Sequence, residues 1–439
     1  MKWLSAALLG IIALAAIGIG TYLFLNRVDP HDGVAPVIAG APEGMPILQR
    51  GEYLAKAADC VACHTAHGGG KPFAGGLEFT LPFGKLYAPN ITADPATGIG
   101  KWTDEQFVRA MHDGIRDDGQ NLYPAFPYTS YTQLSRSDAL AIKAYIFSLP
   151  PVSQVNKANE LLFPFNQRWA MGFWNAVFFK NKRFEADPKK SPQWNSGAYM
   201  AIALEHCAEC HTPRNLGFAL EHGNEMAGEV IQGWRAPNLT ADPLHGLGAW
   251  SNDEVADYLM TGHANGRGSA AGPMGEAVEN SLQYMRREDI DALITYFRDI
   301  PARKGKDPVT IDHKPALALA ATSMAPASNT SADHEAGLQL FAAACASCHQ
   351  WNGIGQQVSH ASLIGSRSVN DPHGANVIEM ILEGVDAHLQ GKAVFMPGFG
   401  TAYTDSEIAA ISNFVIEQYG NQKGLVTPRD VAEQREKSK

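Results

Sequence analysis

Three cysteine pairs, each followed at once by a histidine, carry the chemistry that is visible in this sequence. The Cys-x-x-Cys-His pattern begins at positions 60, 207 and 345, and it takes up all six cysteines of the chain. This spacing is the attachment signature of c-type haem, in which the thiols form thioethers with the porphyrin vinyl groups and the histidine binds the iron. The sequence therefore predicts three covalent haems and, because haems in series pass electrons, electron transfer. The predicted attachment residues are Cys60, Cys63, Cys207, Cys210, Cys345 and Cys348, and the predicted proximal ligands are His64, His211 and His349.

Other uses of paired cysteines fit the pattern less well. A structural zinc site needs a second pair of Cys or His ligands at finger-like spacing, and none follows any of the motifs. A thioredoxin-type redox pair does not explain a histidine in the fifth position three times over. A disulfide framework uses scattered cysteines, and none is left over.

Two methionines are predicted to complete the iron coordination of the second and third haems. A low-spin haem of high potential usually adds a methionine sulfur opposite the histidine. Met274 lies in a Gly-Pro-Met-Gly segment and Met396 in a Phe-Met-Pro-Gly segment, and we expect both to be loops before a closing helix. Met285 is a weaker alternative to Met274.

The first haem lacks an equivalent methionine. Met274 follows His211 by 63 residues, whereas the residue 62 positions after His64 is Phe126, which cannot bind iron. We therefore predict that the first haem is high-spin or of lower potential than the others. The weak candidates for its sixth ligand are Met111, expected in the core, His112, expected on a solvated helix surface, and Met171. A first haem without a sixth protein ligand is the remaining alternative.

The elements around the motifs repeat. A short helix containing Gly51, Gly197 or Gly337 precedes each motif, and an Ala-Pro-Asn-x-Thr segment follows the first two. A helix after Thr103 or Ser251, which read as N-caps, and a closing helix complete each unit. Three helices around a covalently held porphyrin form the cytochrome c plan. The predicted fold is mainly α, with three such domains in tandem, at residues 46–150, 194–301 and 335–420.

The N-terminus has the pattern of a membrane anchor. From Trp3 to Leu25 the chain has no formally charged residue, which is long enough for a membrane-spanning helix. A cleaved secretory signal is the competing interpretation, but the apolar run is long and no good cleavage site follows it. We predict a retained signal-anchor at residues 1–27, which places the haem domains on the periplasmic face of the cytoplasmic membrane.

The remaining segments differ in character. Residues 151–193 are rich in aromatic side chains, and we expect an ordered connector that packs the first two domains together. The alternative is a surface for membrane, quinone or a partner subunit. Residues 302–334 have the composition of a flexible linker, and residues 421–439 form a polar tail. The formal net charge of −10 argues against a nucleic-acid partner.

With these features the chain resembles the triheme cytochrome c subunits of membrane-bound dehydrogenases in acetic acid bacteria and their relatives. The resemblance rests on the three motifs, the paired Ala-Pro-Asn-x-Thr segments, the Leu-Tyr-Pro-Ala-x-Pro-Tyr segment at residues 122–128 and the aromatic connector. It implies a relay that carries electrons from a catalytic subunit to ubiquinone in the membrane. Catalytic partners in this family are quinoprotein alcohol dehydrogenase, flavin-dependent gluconate, sorbitol or fructose dehydrogenase, and molybdopterin aldehyde dehydrogenase. Phe126 departs from the alcohol branch, and the predicted anchor slightly favours the aldehyde branch.

Two other functions remain open from the sequence. A vacant position on the first haem would suit an enzyme acting on a small inorganic substrate such as thiosulfate or peroxide. A relay to a terminal oxidase, rather than to quinone, would use the same residues. The chain shows no nucleotide fingerprint and no paired nucleophile and base, so we predict no catalytic residues for an organic substrate.

Overall fold

The computed structural model describes residues 32–305, 332–356, 358–420 and 422–437, together with Gly18. The rest of the predicted signal-anchor at 1–27, and residues 306–331 of the predicted linker, lie outside the described residues. In the part of the chain that is described, no helix is both long and apolar enough to cross a membrane.

Three units repeat the same order of four helices, which we call the opening, attachment, middle and closing helices. The opening helices are Ile47–Ala57, Pro192–Tyr199 and Ala332–Ala344. The attachment helices are Cys60–Cys63, Ala208–His211 and Ala346–His349. The middle helices are Asp104–Asp113, Asn252–Thr261 and Ala375–Glu383. The closing helices are Arg136–Ser148, Arg287–Asp299 and Asp405–Tyr419. The order agrees with the predicted three-helix plan.

Shorter helical elements connect these helices. They are the α-helices Tyr128–Tyr131, Met171–Phe178, Gly272–Asn280 and Pro428–Lys437, the 3₁₀ turns Arg168–Ala170, Leu282–Tyr284 and Ser359–Ala361, and the π-helical continuation Met200–Leu204.

Antiparallel hairpins supply the strands. The first unit pairs Glu78–Leu81 with Gly84–Tyr87, and Glu160–Leu161 of the connector adds a third strand. The second unit pairs Glu229–Ile231 with Trp234–Ala236, and His263–Ala264 with Gly268–Ser269. The third unit pairs Val385–Leu389 with Lys392–Met396.

A glycine marks each crossing of an opening helix with the closing helix of its unit. A Cβ atom placed on Gly51 would lie 1.9 Å from the Ala141 carbonyl oxygen, and one on Gly197 would lie 1.9 Å from that of Ala292. The equivalent distance from Gly337 is 2.3 Å. Since any side chain here would force the two helices apart, the repeated glycine of the sequence sets how closely they pack.

Predicted caps hold the helix starts. Thr103, Ser251 and Thr404 each accept the backbone N–H three residues on and form complete capping boxes. Such a cap contributes about 1 kcal/mol to a helix. The predictions of Thr103 and Ser251 as N-caps are confirmed.

The first two units share one hydrophobic core and are joined by two equivalent hydrogen bonds. The Tyr199 hydroxyl, from the second opening helix, donates to Asp138 Oδ2 of the first closing helix at 2.6 Å. The Tyr53 hydroxyl, from the first opening helix, donates to Asp289 Oδ2 of the second closing helix, also at 2.6 Å. Each aspartate is almost fully buried. The two units therefore exchange the same bond in both directions.

The segment after the predicted anchor also joins these two units. The backbone N–H groups of Ala39 and Gly40 donate to Asp289 Oδ1 and Oδ2 at 2.7 and 2.8 Å. The Ser196 hydroxyl donates to the Val37 carbonyl at 2.6 Å, and Ile38 is buried in the shared core. Residues 32–41 thus lie across the junction, a role that the sequence pattern did not indicate.

The third unit packs on the second. Its hairpin places Ala387, Leu389 and Val394 in the core shared by the first two units. The helix Pro428–Lys437, within the predicted polar tail, buries Val431 and packs on the third closing helix. Gln434 Nε2 donates to the Gly233 carbonyl of the second unit at 3.0 Å. The second unit therefore contacts both of the others.

Candidate haem sites

The three motif histidines are oriented in the same way. The Nδ1 atom of His64 lies 2.8 Å from the Pro89 carbonyl oxygen, and that of His211 lies 2.6 Å from the Pro237 carbonyl oxygen. The same atom of His349 lies 2.7 Å from the Ala361 carbonyl oxygen. A carbonyl can only accept, so Nδ1 carries the proton and Nε2 keeps its lone pair for iron. Metal-binding histidines usually have this outer contact.

The Ala-Pro-Asn-x-Thr segments hold the accepting carbonyls in place. Asn90 is buried, accepts the Thr92 N–H at 2.9 Å, and donates from Nδ2 to the Val152 carbonyl at 2.7 Å. Asn238 accepts the Thr240 N–H at 2.8 Å and donates to the Arg303 carbonyl. Each segment is thereby tied to the chain that follows the closing helix of its unit. The third unit uses the 3₁₀ turn Ser359–Ala361 instead.

Burial keeps the histidines neutral. It lowers the pKa of His64 and of His349, and it lowers the pKa of His211 to about 4, although the carbonyl contacts oppose this shift. A lowered pKa means that the imidazole is deprotonated at neutral pH, which is the form that binds iron.

The motif thiols do not have the lowered pKa values of redox-active cysteines. None of the six cysteines is paired in a disulfide. Burial, with a smaller contribution from Asp59, raises the pKa of Cys60 and of Cys63 to about 12. Burial raises the pKa of Cys210 and of Cys345 to about 11. Thiol–disulfide exchange needs a lowered pKa, so these sites do not resemble thioredoxin-type pairs.

These residues fit covalent haem. Each short attachment helix, together with its flanking cap residues, presents two thiols and a neutral histidine whose Nδ1 is already hydrogen-bonded. A bound haem would supply one-electron redox chemistry, and the chain would supply the thioethers, one axial nitrogen and an apolar surrounding. The attachment and axial roles of these residues remain predictions.

The two methionines predicted as sixth ligands lie on regular elements. Met274 is in the first turn of the helix Gly272–Asn280. The prediction of a loop at this position is therefore wrong. Pro273 occupies the first turn, where proline favours the start of a helix. Met396 is the last residue of its hairpin strand, opposite Val385, and the Pro-Gly bend comes after it. Both side chains are half-buried. Met285, the alternative, is buried in the shared core.

In the first unit, the expected sixth-ligand position and the candidate ligands have surroundings that differ from those of Met274 and Met396. Phe126 is half-buried and packs on Tyr131, with ring centroids 5.4 Å apart. Met111 is buried in the core as expected. His112 was predicted on a solvated surface, and this is wrong, since the residue is only 6% exposed on the inner face of the middle helix. Met171 begins the connector helix Met171–Phe178.

Attachment segments of the first two units meet through a contact that sequence reasoning missed. The Tyr131 hydroxyl donates to the Ala58 carbonyl at 3.2 Å, and its ring lies 5.5 Å from that of His206. The Thr129 hydroxyl donates to Glu209 Oε1 at 3.0 Å. Residues 126–131 begin at the expected sixth-ligand position of the first unit. They therefore lie directly against the attachment segment of the second unit.

The second and third units are joined near the third proximal histidine. His360, which precedes the Ala361 carbonyl acceptor, places Nε2 3.0 Å from the Thr261 carbonyl. The Ser269 hydroxyl donates to the His360 carbonyl at 3.0 Å. Arg235 and Asp371 form an ion pair of 3.0 Å across the same interface. The carbonyl that orients His349 is thus held partly by the second unit.

Comparison with known proteins agrees with this geometry. The cytochrome c family model matches residues 48–150 and 334–417. The chain is 39% identical to the fructose dehydrogenase cytochrome subunit of Gluconobacter japonicus, over 87% of this chain and 81% of that protein. It is 36% identical to the gluconate 2-dehydrogenase cytochrome c subunit of Pantoea cypripedii, over 96% and 94%. It is 35% identical to the cytochrome c subunit of quinone alcohol dehydrogenase from Gluconobacter oxydans, over 88% and 81%.

The chain is a cytochrome c, as its helices, its attachment motifs and its relatives together show. More narrowly, the chain belongs to the family of cytochrome c subunits of dehydrogenase complexes, whose function is electron transfer.

Proposed function

We propose that this chain carries electrons through three c-type haems from a catalytic dehydrogenase subunit to ubiquinone in the cytoplasmic membrane. The observation that carries the proposal is the packing of all three attachment sites in one continuous body. The first and second units share a core, and the third unit inserts its hairpin into that core. Because the second unit contacts both of the others, we assign its haem as the middle carrier of a linear relay.

The aromatic connector supports the membrane side of the proposal. Within the connector, Phe179 and Phe184 are buried and pack on Tyr128 of the first unit and Tyr199 of the second. Its other side chains form an exposed apolar surface, which we call the connector face: Leu162, Phe163, Phe165, Trp169, Phe173 and Val177. Exposed Trp and Phe with Arg168, Lys180 and Lys182 nearby in the chain have the composition of a segment that lies in a membrane interface.

Two relatives favour a sugar or sugar acid as the substrate of the catalytic partner, since their names refer to fructose and gluconate at 39% and 36% identity. A molybdopterin aldehyde dehydrogenase and a quinoprotein alcohol dehydrogenase remain the alternatives. Purification of the native complex distinguishes them, because the partner will contain flavin, molybdopterin or pyrroloquinoline quinone.

Loss of the second haem tests the relay. In the purified complex we expect the double change Cys207→Ser and Cys210→Ser to abolish reduction of a soluble ubiquinone analogue, because the middle carrier is missing. Substrate oxidation with an artificial dye that accepts electrons at the catalytic subunit should persist. Quinone reduction at the parent rate, with the second haem shown to be absent by haem quantification, would reject the linear relay.

The connector face gives a second test. We expect a chain beginning at Asp32 to bind vesicles of mixed anionic lipids, and the triple change Leu162→Ser, Trp169→Ser and Phe173→Ser to weaken binding at least about tenfold, since each buried apolar side chain contributes about 1.5–3 kcal/mol. Vesicle flotation measures the binding, and the haem absorption spectrum checks folding.

The matched control changes apolar residues that are also exposed but lie on the third unit. Trp351→Ser with Ile354→Ser should leave vesicle binding unchanged, because these side chains are far along the chain from the connector face and about half exposed. Equal losses in both variants would assign the binding to general hydrophobicity instead of the connector face.

A further inference from the structure

Two half-buried carboxyl groups lie where the first and second units meet. Asp59 directly precedes the first attachment helix, and Glu205 lies two residues before Cys207. Asp59 Oδ1 and Glu205 Oε1 are shielded from solvent and have no hydrogen-bond partner. Neither residue forms an ion pair within the described residues. A shielded carboxylate oxygen that accepts no hydrogen bond disfavours the charged form of the group, so such a carboxyl binds a proton more readily.

The groups that face Glu205 are acidic or neutral. Asp289 approaches it from the second closing helix, and Tyr53 from the first opening helix, where the Tyr53 hydroxyl is committed to Asp289. Burial, with Asp289 next in effect, raises the pKa of Glu205 to about 8. Its chain neighbour His206 is half-buried, and desolvation lowers the pKa of His206, so this imidazole does not supply a permanent positive charge to the carboxylate.

Asp59 is in a similar setting and lies between the two attachment sites. Burial, then the nearby Glu276 and also Glu205, raises the pKa of Asp59 well above its usual range. Asp59 in turn affects the thiols of Cys63 in the first unit and Cys210 in the second. Glu276 reaches the surface, where its Oε1 lies 4.0 Å from Nδ1 of the exposed His67. Protons from water can therefore enter the pair from this edge.

A haem held at these motifs would change charge beside both carboxyls. One electron removes one positive charge from a ferric haem, and a weakly screened interior transmits that change to a neighbouring carboxylate. The carboxylate is favoured beside the oxidised haem, and the protonated acid beside the reduced haem.

We propose that Glu205, with Asp59 beside it, binds a proton when the haems of the first two units are reduced and releases it when they are oxidised. One electron from the dehydrogenase enters the haem pair, and one proton from water binds a carboxylate oxygen, so that charge is balanced and no other bond changes. The inference rests on the proposed function for haem loading at the two motifs. In this role the two carboxyls help to set the driving force for electron transfer at the junction of units one and two.

Potentiometric titration of the full haem-loaded chain tests this proposal. With optical detection from about pH 5 to about pH 9, on both sides of the Glu205 pKa, we expect the midpoint potential of one haem to fall as pH rises. The slope should approach about 59 mV per pH unit where one proton accompanies one electron. Glu205→Gln, which resembles the protonated acid, should remove most of the slope and hold the potential near the parent's low-pH value.

Two further variants keep the test decisive. Asp59→Asn should lower the slope in part, and asparagine tolerates the positive φ of 48° at this position. Glu209→Gln is the matched control, because Glu209 lies within the second motif but forms an ion pair of 2.8 Å with Arg214. It should shift the potential equally at every pH and leave the slope unchanged.

The outcome that overturns the inference is a flat parent titration, or a slope that survives in both Glu205→Gln and Asp59→Asn. In either case haem quantification shows whether the first two haems are present. A flat titration in a fully loaded chain that still reduces quinone with its dehydrogenase rejects this inference alone. A chain that binds no haem at these motifs rejects the proposed function as well.

Discussion

Replacing Met396 with alanine is expected to lower the reduction potential of the third haem by a few tenths of a volt, a large share of the ~0.8 V over which axial ligands set haem potentials. A thioether sulfur opposite histidine favours the reduced iron, and alanine leaves that position to water. The near-infrared absorption of the Fe–Met bond should disappear for one haem. Redox titration and near-infrared magnetic circular dichroism measure the two effects.

Met380 provides the control for this change. It is a half-buried methionine on the middle helix of the same unit, and its backbone carbonyl accepts the helix-ending bond from the Gly384 N–H. Met380→Ala should leave the potential of the third haem nearly unchanged. The reciprocal change Phe126→Met is expected to raise the potential of the first haem. Three equivalent His/Met haems in the parent would contradict the predicted difference at Phe126.

Replacing Asp289 with alanine is expected to lower the free energy of unfolding by about 3–5 kcal/mol, the range for breaking a buried charged network. The carboxylate is 2% exposed and accepts three donors: the Ala39 and Gly40 N–H groups and the Tyr53 hydroxyl. All three donors lose their partner in a shielded place, and each such loss costs about 1–3 kcal/mol. Chemical denaturation of the haem-loaded chain measures the change.

Asp291 lies two residues further along the same helix and is the matched control. Its carboxylate contacts Arg287 Nε at 2.8 Å, but both side chains are more than a third exposed. Asp291→Ala should cost at most about 1 kcal/mol, as is usual for surface ion pairs. Equal destabilisation by both variants would mean that helix α-propensity or net charge, rather than the junction, explains the effect.

Local sequence features predicted the units well. The motif spacing, the repeated glycines and the caps at Thr103, Ser251 and Thr404 are short-range signals, and the structure has helices where they indicate them. The Met274 loop was predicted wrongly because a Gly-Pro pair can begin a helix as well as interrupt one. The exposure of His112 was predicted wrongly because burial of a single polar residue depends on which segment packs over it.

Contacts between units could not be predicted from one sequence. Tyr53 and Tyr199 lie on the opening helices of the first two units, and nothing in the local sequence shows that their hydroxyls bond to aspartates of the other unit. Residues 32–41 have no periodic pattern, and their place is fixed by backbone donors that reach Asp289. Tertiary packing selects such partners from many that are chemically equivalent, so periodicity carries no information about them.

The reciprocal tyrosine–aspartate bonds show how the first two units are related in space. Each tyrosine also accepts the N–H of the residue at the start of the other closing helix, Ser135 for Tyr199 and Arg286 for Tyr53. When residue i of one copy contacts residue j of the other and the reverse also holds, the surfaces form an isologous, two-fold interface. Units one and two therefore meet across an approximate two-fold axis, as the two subunits of a homodimer do.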